Sequence, residues 1–174
     1  MSGGVLLFLS MRVLHVVLAG AWLGAAMFAV FYLFPVAGEA GAGGPQVIAT
    51  FVRRGMVKYV ASIGGMTVVT GIYLFWRFTS GFDPALSSSR AGMSFSIGAL
   101  TGLIALILGG AMVGASAKKI AAAADQLAAA PDGPARVALA QTIETLRQRM
   151  LTFGRIVVVL LLISMAAMAL GHYI

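Results

Sequence analysis

The chain contains two histidines, His15 and His172, and they are the side chains best suited to ligand chemistry in an otherwise apolar sequence. They lie near opposite ends of the 174-residue chain, each in a long hydrophobic segment. An imidazole nitrogen is a good ligand for haem iron and for copper. The sequence has no cysteine, which excludes disulfides, thiolate metal sites and cysteine nucleophiles. The two imidazoles are therefore the first candidates for a ligand-binding site.

The acidic residues indicate what the chain does not do. A proton- or sodium-coupled transporter normally carries a carboxylate inside the membrane as its ion ligand. All five carboxylates here fall outside the hydrophobic segments, which disfavours such a transporter. These residues are Glu39, Asp83, Asp125, Asp132 and Glu144.

Four hydrophobic segments are long enough to cross a bilayer, for which about 20 helical residues suffice. The composition is 60% hydrophobic and 10% charged, which is more apolar surface than a soluble domain of this length buries. The runs are continuous and lack a period of two, which predicts helices rather than barrel strands. The predicted spans are 5–36, 57–76, 93–117 and 156–174. The sequence thus predicts an all-α integral membrane four-helix bundle, formed as a single domain over residues 1–174.

Residues 118–153, between the third and fourth spans, are predicted to form a helical cytoplasmic hairpin. The stretch is rich in alanine on both sides of Pro131-Asp132-Gly133-Pro134, which predicts two helices joined by a turn. We expect the hairpin to extend the bundle, with docking of a partner as the alternative. The second arm carries an apolar stripe of Val137, Ala140, Ile143 (or Glu144), Leu146 and Met150.

The basic residues predict the orientation in the membrane. The net charge is +7, but the cations flank the spans instead of forming a soluble patch, so we expect no nucleic-acid partner. Nine cations lie on one side and three on the other, which places the first set inside and both termini on the non-cytoplasmic side. The nine are Arg53, Arg54, Lys58, Lys118, Lys119, Arg136, Arg147, Arg149 and Arg155, and the three are Arg12, Arg77 and Arg90.

The two histidines are predicted to lie at a similar depth. His15 precedes Pro35 by 20 residues, or about 30 Å of helix. His172, predicted to lie in the fourth helix, follows Arg155 by 17 residues, or about 25 Å. Both imidazoles are therefore expected near the non-cytoplasmic surface.

A haem b group would use these histidines as its two axial ligands and would need cations for its propionates. Arg12 lies one turn outward from His15, and Arg77 ends the second span about 28 Å beyond Lys58. Small residues beside the two histidines would leave room for the flat macrocycle. Those residues are Ala19, Gly71, Gly98 and Gly171.

Three alternatives stay open at this point. A copper site is one, because thioethers and imidazoles together suit Cu(I). A cofactor-free structural subunit is another, in which Gly-x-x-x-Gly faces contact partner chains or a second copy. Each histidine could also be ordinary, His172 as an interfacial residue and His15 as one satisfied by a hydroxyl or carbonyl of a neighbouring helix. The copper ligands would be Met11, His15, Met168 and His172, and the glycine pairs are Gly20/Gly24, Gly98/Gly102 and Gly110/Gly114.

Residues 12–24, with Leu14-His15 and then Trp22-Leu23-Gly24, resemble the first helix of the copper resistance D (CopD-like) membrane family. The pattern is also similar to that of HemJ-type protoporphyrinogen oxidases. Thr70-Gly71 and the ending of the fourth segment, from Met168 to Tyr173, resemble further short motifs of this group. The resemblance implies a four-helix bundle in which His15 binds haem b or, in the copper resistance branch, serves copper uptake.

The sequence therefore predicts a haem b-binding membrane protein that transfers electrons, as a small cytochrome or as a subunit of a larger redox complex. His15 and His172 would bind the haem iron, and Arg12 and Arg77 would bind the propionates. No catalytic residue is assigned, and an electron-transfer or accessory subunit is expected rather than a stand-alone enzyme. The oxidase activity is not carried over, because the second and third spans add no histidine and the third has no lysine or arginine within the membrane. The expected location is the bacterial inner (cell) membrane, as a multi-pass protein.

Overall fold

The computed structural model describes residues 3–173, and in this range the chain is all-α, with no residue in a β-strand. Four helical stretches of this range are long and apolar enough to cross a membrane. The chain is therefore a multi-pass membrane protein built as a helical bundle, as predicted. The four stretches are Gly3–Glu39, Met56–Phe78, Arg90–Ala129 and Pro134–Leu170.

The described chain contains α-helices, two π-helical turns and one 3-10 turn. In chain order the elements are α1 (Gly3–Phe28), a π turn (Ala29–Leu33), α2 (Phe34–Glu39), a 3-10 turn (Gly41–Gly43), α3 (Gly44–Arg53), α4 (Met56–Phe78), α5 (Pro84–Ser87), α6 (Arg90–Leu108), a second π turn (Gly109–Gly114), α7 (Ala115–Ala129) and α8 (Pro134–Leu170).

The first helical stretch continues through Pro35, close to where the sequence predicts its end, and stops at Glu39. Proline has no N–H, and its ring crowds the carbonyl four residues earlier. The π turn Ala29–Leu33 lies just before the proline, and the Phe34 N–H donates to the Ala29 carbonyl. A π turn is wider than an α turn. It therefore accommodates the proline ring without ending the helix.

Helix α3 was not predicted from the sequence, which suggested a loop there. Its first turn contains Pro45, which lacks an N–H in a turn where that group has no helical acceptor. Its buried Ala49 packs on α7 together with Ala121 and Ala124. The small side chains of this seam allow the two helix backbones to approach closely. The Gln46 amide also donates to the Ala124 carbonyl at 3.0 Å.

The chain divides into two compact units. We name them the histidine unit (Met1–Gly24, Ser62–Leu106 and Val158–Ile174) and the hairpin unit (Ala25–Ala61 and Ile107–Val157). Both histidines belong to the first.

In the hairpin unit, the predicted apolar stripe is divided between buried and open positions. Ile143 and Met150 are buried, whereas Val137 is 57% exposed. Val137 and Ala140 line a groove of about 440 Å³. Arg147, on the edge of this groove, donates two hydrogen bonds to the Glu144 carboxylate, at 2.7 and 2.8 Å.

In the histidine unit, α6 and α8 pack through small residues. The Ser164 hydroxyl donates to the Gly98 carbonyl at 2.7 Å, and the Ser94 hydroxyl donates to the Ala167 carbonyl at 2.8 Å. A Cβ on Gly98 would lie 3.1 Å from the Ser164 carbonyl oxygen. The Gly98/Gly102 pair is therefore used inside the chain, which brings α8 and its C-terminal end against α6.

Candidate functional site

His15 lies half-buried on α1, and its ring is held by α4. His15 Nδ1 lies 3.0 Å from the Thr67 carbonyl oxygen and 3.1 Å from Thr70 Oγ1. Because a carbonyl oxygen only accepts, the contact with Thr67 is a hydrogen bond only when the proton is on Nδ1. In that tautomer Nε2 is the nitrogen with the free lone pair.

Two aromatic rings of α1 pack on two glycines of α4 with matching spacing. A Cβ on Gly71 would lie 2.9 Å from His15 Cε1, and a Cβ on Gly64 would lie 2.9 Å from Trp22 Cε2. The rings are seven residues apart on α1, and the glycines are seven residues apart on α4 in the opposite chain direction. The helices are therefore antiparallel here, and each large ring fills the space that a missing side chain leaves. The prediction that Gly71 leaves room for a macrocycle is therefore wrong, because the His15 ring itself occupies that space.

His172 lies in the turn after α8, which ends at Leu170, and not within the fourth helix as predicted. Its Nδ1 lies 3.0 Å from the Met168 carbonyl oxygen and therefore donates to it. Arg12 Nη2 donates to His172 Nε2 at 2.7 Å. The Phe95 ring meets the imidazole edge to face, with centroids 5.4 Å apart. Both nitrogens of this exposed imidazole are thus engaged.

The other residues predicted to bind the ligand differ in how they are placed relative to the two histidines. Arg12 links the two histidine sites, since it lies one turn from His15 on α1 and donates to His172. Arg77, exposed near the end of α4, makes no hydrogen bond to either histidine among the described residues. Met168 packs on Gly98, where its Cε would lie 2.9 Å from an added Cβ. Met11 is half-buried on α1.

Within residues 3–173, no three His, Cys, Asp or Glu side chains come together to hold a metal ion. This search concerns sites of three such ligands. It bears neither on a haem held by two histidines nor on a copper site completed by methionine.

No protein-family model, curated protein or solved structure matches the chain. The resemblance of residues 12–24 to the CopD-like family therefore remains a hypothesis, and the site rests on the geometry of its own residues.

Sequence reasoning missed the contacts of Thr67 and Phe95, and it named Thr70 only as part of a short motif. A usable signal was present for α4, because His15 and Trp22 have the same seven-residue spacing as Gly71 and Gly64. No comparable signal points to Phe95, whose contact with His172 depends on how the turn after α8 folds back.

Proposed function

We propose that this chain binds haem b in the membrane and transfers electrons, as a small cytochrome or as a subunit of a larger redox complex. The proposal rests on the hydrogen bonds of the His15 ring. Its Nδ1–H is taken by acceptors on α4, which leaves the Nε2 lone pair for a metal. Histidines that bind metals almost always donate their other ring N–H to a carbonyl, carboxylate or water. His15 could therefore bind a haem iron through Nε2 while α4 holds its Nδ1.

His172 is the proposed second axial ligand, and it fits only if Arg12 moves. Its Nε2 now accepts from the Arg12 guanidinium. A propionate carboxylate is a better acceptor for a guanidinium than a neutral imidazole, because the hydrogen bond is then assisted by charge. Arg12 would thus exchange His172 for a propionate, and we assign the other propionate to Arg77. His172 lies in the turn beyond the end of α8, so its ring can move toward an iron without breaking the helix.

Haem held in this way would supply reversible one-electron transfer at its iron. The protein would contribute axial ligation, burial and nearby positive charge, which tune the potential of a b-type haem. We also propose that the chain is related to the CopD-like and HemJ-like membrane proteins that its first helix resembles. It also includes the bacterial inner membrane, with both termini on the non-cytoplasmic side, as the location.

An absorption spectrum of the purified protein tests the proposal. We expect a reduced b-type spectrum with one haem per chain, lost in His15→Ala and strongly altered in His172→Ala. Metal analysis of the same samples measures copper. A colourless protein that holds one copper per chain, lost in Met168→Leu but not in Met165→Leu, would instead support the copper site. A protein with neither haem nor copper would refute both.

A second candidate, a structural subunit of a membrane complex, has one observation in its favour. A Cβ on Gly20 or Gly24 would meet no atom within 4 Å in the described chain, whereas one on Gly114 would lie 3.1 Å from Val57 Cγ1. The Gly20/Gly24 pair is therefore open to a helix of another chain, which glycines at this spacing allow to approach closely. A colourless, metal-free protein that purifies as an oligomer, disrupted by Gly24→Leu, would support this candidate.

A further inference from the structure

Three groups of α4 surround one side of the His15 ring, and we call them the His15 pocket: the Thr67 carbonyl, the Thr70 hydroxyl and the Cα of Gly71. Thr67 and Thr70 are each only 7% exposed. Polar groups buried to this extent find their hydrogen-bond partners within the protein. The pocket therefore presents a defined set of acceptors to the ring.

Gly71 makes the Thr67 carbonyl accessible. In an α-helix this carbonyl points toward the residue four positions later, which here is Gly71. A Cβ at that position would lie 2.9 Å from His15 Cε1 and 3.4 Å from Nδ1. Only the absence of a side chain lets the imidazole lie against the helix backbone and reach the carbonyl.

Thr70 supplies the second acceptor. Its hydroxyl lies 2.8 Å from the Met66 carbonyl and 3.0 Å from the Thr67 carbonyl, and it donates its single proton to them. Toward His15 it therefore offers only oxygen lone pairs. Both oxygens that face Nδ1 are acceptors, so neither stabilises a ring whose Nδ1 has lost its proton.

We propose that the His15 pocket fixes His15 as the Nδ1–H tautomer, with Thr70 as a positioning residue that holds Nε2 ready as the metal-binding nitrogen. The proposal rests on the proposed function for the identity of the metal, which is the iron of haem b. The tautomer itself does not depend on that function. Its test therefore has one arm without haem and one arm with it.

The first arm measures the tautomer by ¹⁵N NMR on the full chain, labelled with ¹⁵N-histidine, free of haem and at alkaline pH. His172→Gln makes His15 the only histidine, so its two ring nitrogens are observed without overlap. We expect a protonated Nδ1 and an unprotonated Nε2. In Thr70→Val a methyl group replaces the acceptor 3.1 Å from Nδ1, and we expect a mixture of tautomers. Thr70→Ser should restore the single tautomer.

Thr101→Val is the matched control. Thr101 Oγ1 donates to the Ile97 and Gly98 carbonyls at 2.9 and 3.2 Å, the same pattern within its own helix as Thr70. It makes no contact with His15 among the described hydrogen bonds, so its loss should leave the tautomer unchanged. A proton on Nε2 in the unsubstituted pocket, or a single Nδ1–H tautomer in Thr70→Val, would overturn the proposal.

The second arm titrates the haem-free protein, with His172 intact, with iron protoporphyrin IX. We expect Thr70→Val to weaken binding about 10- to 100-fold, the usual cost of removing a group that orients a metal ligand. Thr70→Ser and Thr101→Val should bind like the unsubstituted chain. Equal binding by Thr70→Val would remove the positioning role. If the unsubstituted chain binds no haem, the proposed function is wrong, while the first arm still decides whether the pocket fixes the tautomer.

Discussion

The two histidines belong to the same unit but are held in opposite ways. His15 is half-buried within a long helix, and a neighbouring helix orients its ring through the Thr67 carbonyl and the Thr70 hydroxyl. His172 is exposed in a turn near the chain end, and the long, flexible side chain of Arg12 holds its Nε2. One imidazole therefore has a fixed direction and a free nitrogen, and the other has both nitrogens engaged but a contact that is easily exchanged.

A histidine that binds a metal needs a fixed ring orientation, and its metal-binding nitrogen has to be released from other partners. The two histidines of this chain each illustrate one of these requirements. Orientation is provided by buried groups, because Thr67 and Thr70, which face His15 Nδ1, are each only 7% exposed. Exchange is provided at the exposed contact, because water replaces a hydrogen bond of a surface group at a net cost of only about 0.5–1.5 kcal/mol. Variants that disturb one histidine and leave the other unchanged test the comparison directly.

The largest effect is expected from Gly71→Ala, which should disturb His15 alone. The added Cβ would lie 2.9 Å from His15 Cε1, so the ring has to move off the Thr67 carbonyl. Overpacking of this kind costs about 1–3 kcal/mol, and we expect loss of most haem binding together with a lower temperature of thermal denaturation in detergent. The ¹⁵N signals of His172 should not change.

Gly65→Ala is the control for this substitution. Gly65 lies on the same helix, and a Cβ there would meet no atom within 4 Å. Alanine favours a helix over glycine, so Gly65→Ala should be neutral or stabilising. Normal haem binding by Gly71→Ala would show that the ring does not depend on this close approach.

An intermediate effect is expected from Arg12→Gln, which should disturb His172 alone. In the haem-free protein the ¹⁵N signal of His172 Nε2 should shift because its donor at 2.7 Å is weakened. Haem binding should fall by roughly 5- to 30-fold, equivalent to about 1–2 kcal/mol for an exposed charge-assisted hydrogen bond to a propionate. Arg90→Gln removes another exposed cation of the histidine unit and should change neither the His172 Nε2 signal nor haem binding. A shift at His15 in Arg12→Gln would mean that the two sites are coupled.

Much of the fold followed from the sequence because membrane spans are specified by long apolar runs, and the backbone inside lipid has to be helical. The end of the first helix followed only approximately. The predicted span stops at residue 36, but the π turn before Pro35 lets the helix run on to Glu39. A single proline does not reveal whether the preceding turn widens, since that depends on packing.

The site was predictable only in part. Residue type selected His15 and His172, and helical spacing placed Arg12 one turn from His15. The direction of each ring depends on which neighbour it meets, and sequence periodicity does not report that for Thr67 or Phe95. The short helix α3 was missed for a different reason. Its ten residues do have clearly separated apolar and polar faces, but the helix follows directly on a glycine-rich segment, which favours a turn.

The smallest effect is expected from Phe95→Leu, which removes edge-to-face contacts with His172 and Phe78 but no hydrogen bond. The Phe95 ring meets His172 edge to face and lies close to Gly171, where an added Cβ would be 2.5 Å from Phe95 Cε1. Aromatic pairs of this kind contribute about 0.5–1.5 kcal/mol beyond burial, so the turn after α8 should open severalfold more often. Hydrogen exchange of the Gly171 and His172 amides measures this opening, with the Gly71 amide as the reference for the His15 pocket. Phe28→Leu, which removes a stacked ring in the hairpin unit, should leave all three amides unchanged. Faster exchange at Gly71 in Phe95→Leu would contradict the independence of the two histidines, because Phe95 contacts α4 only at Phe78 among the described aromatic pairs, seven residues beyond that amide.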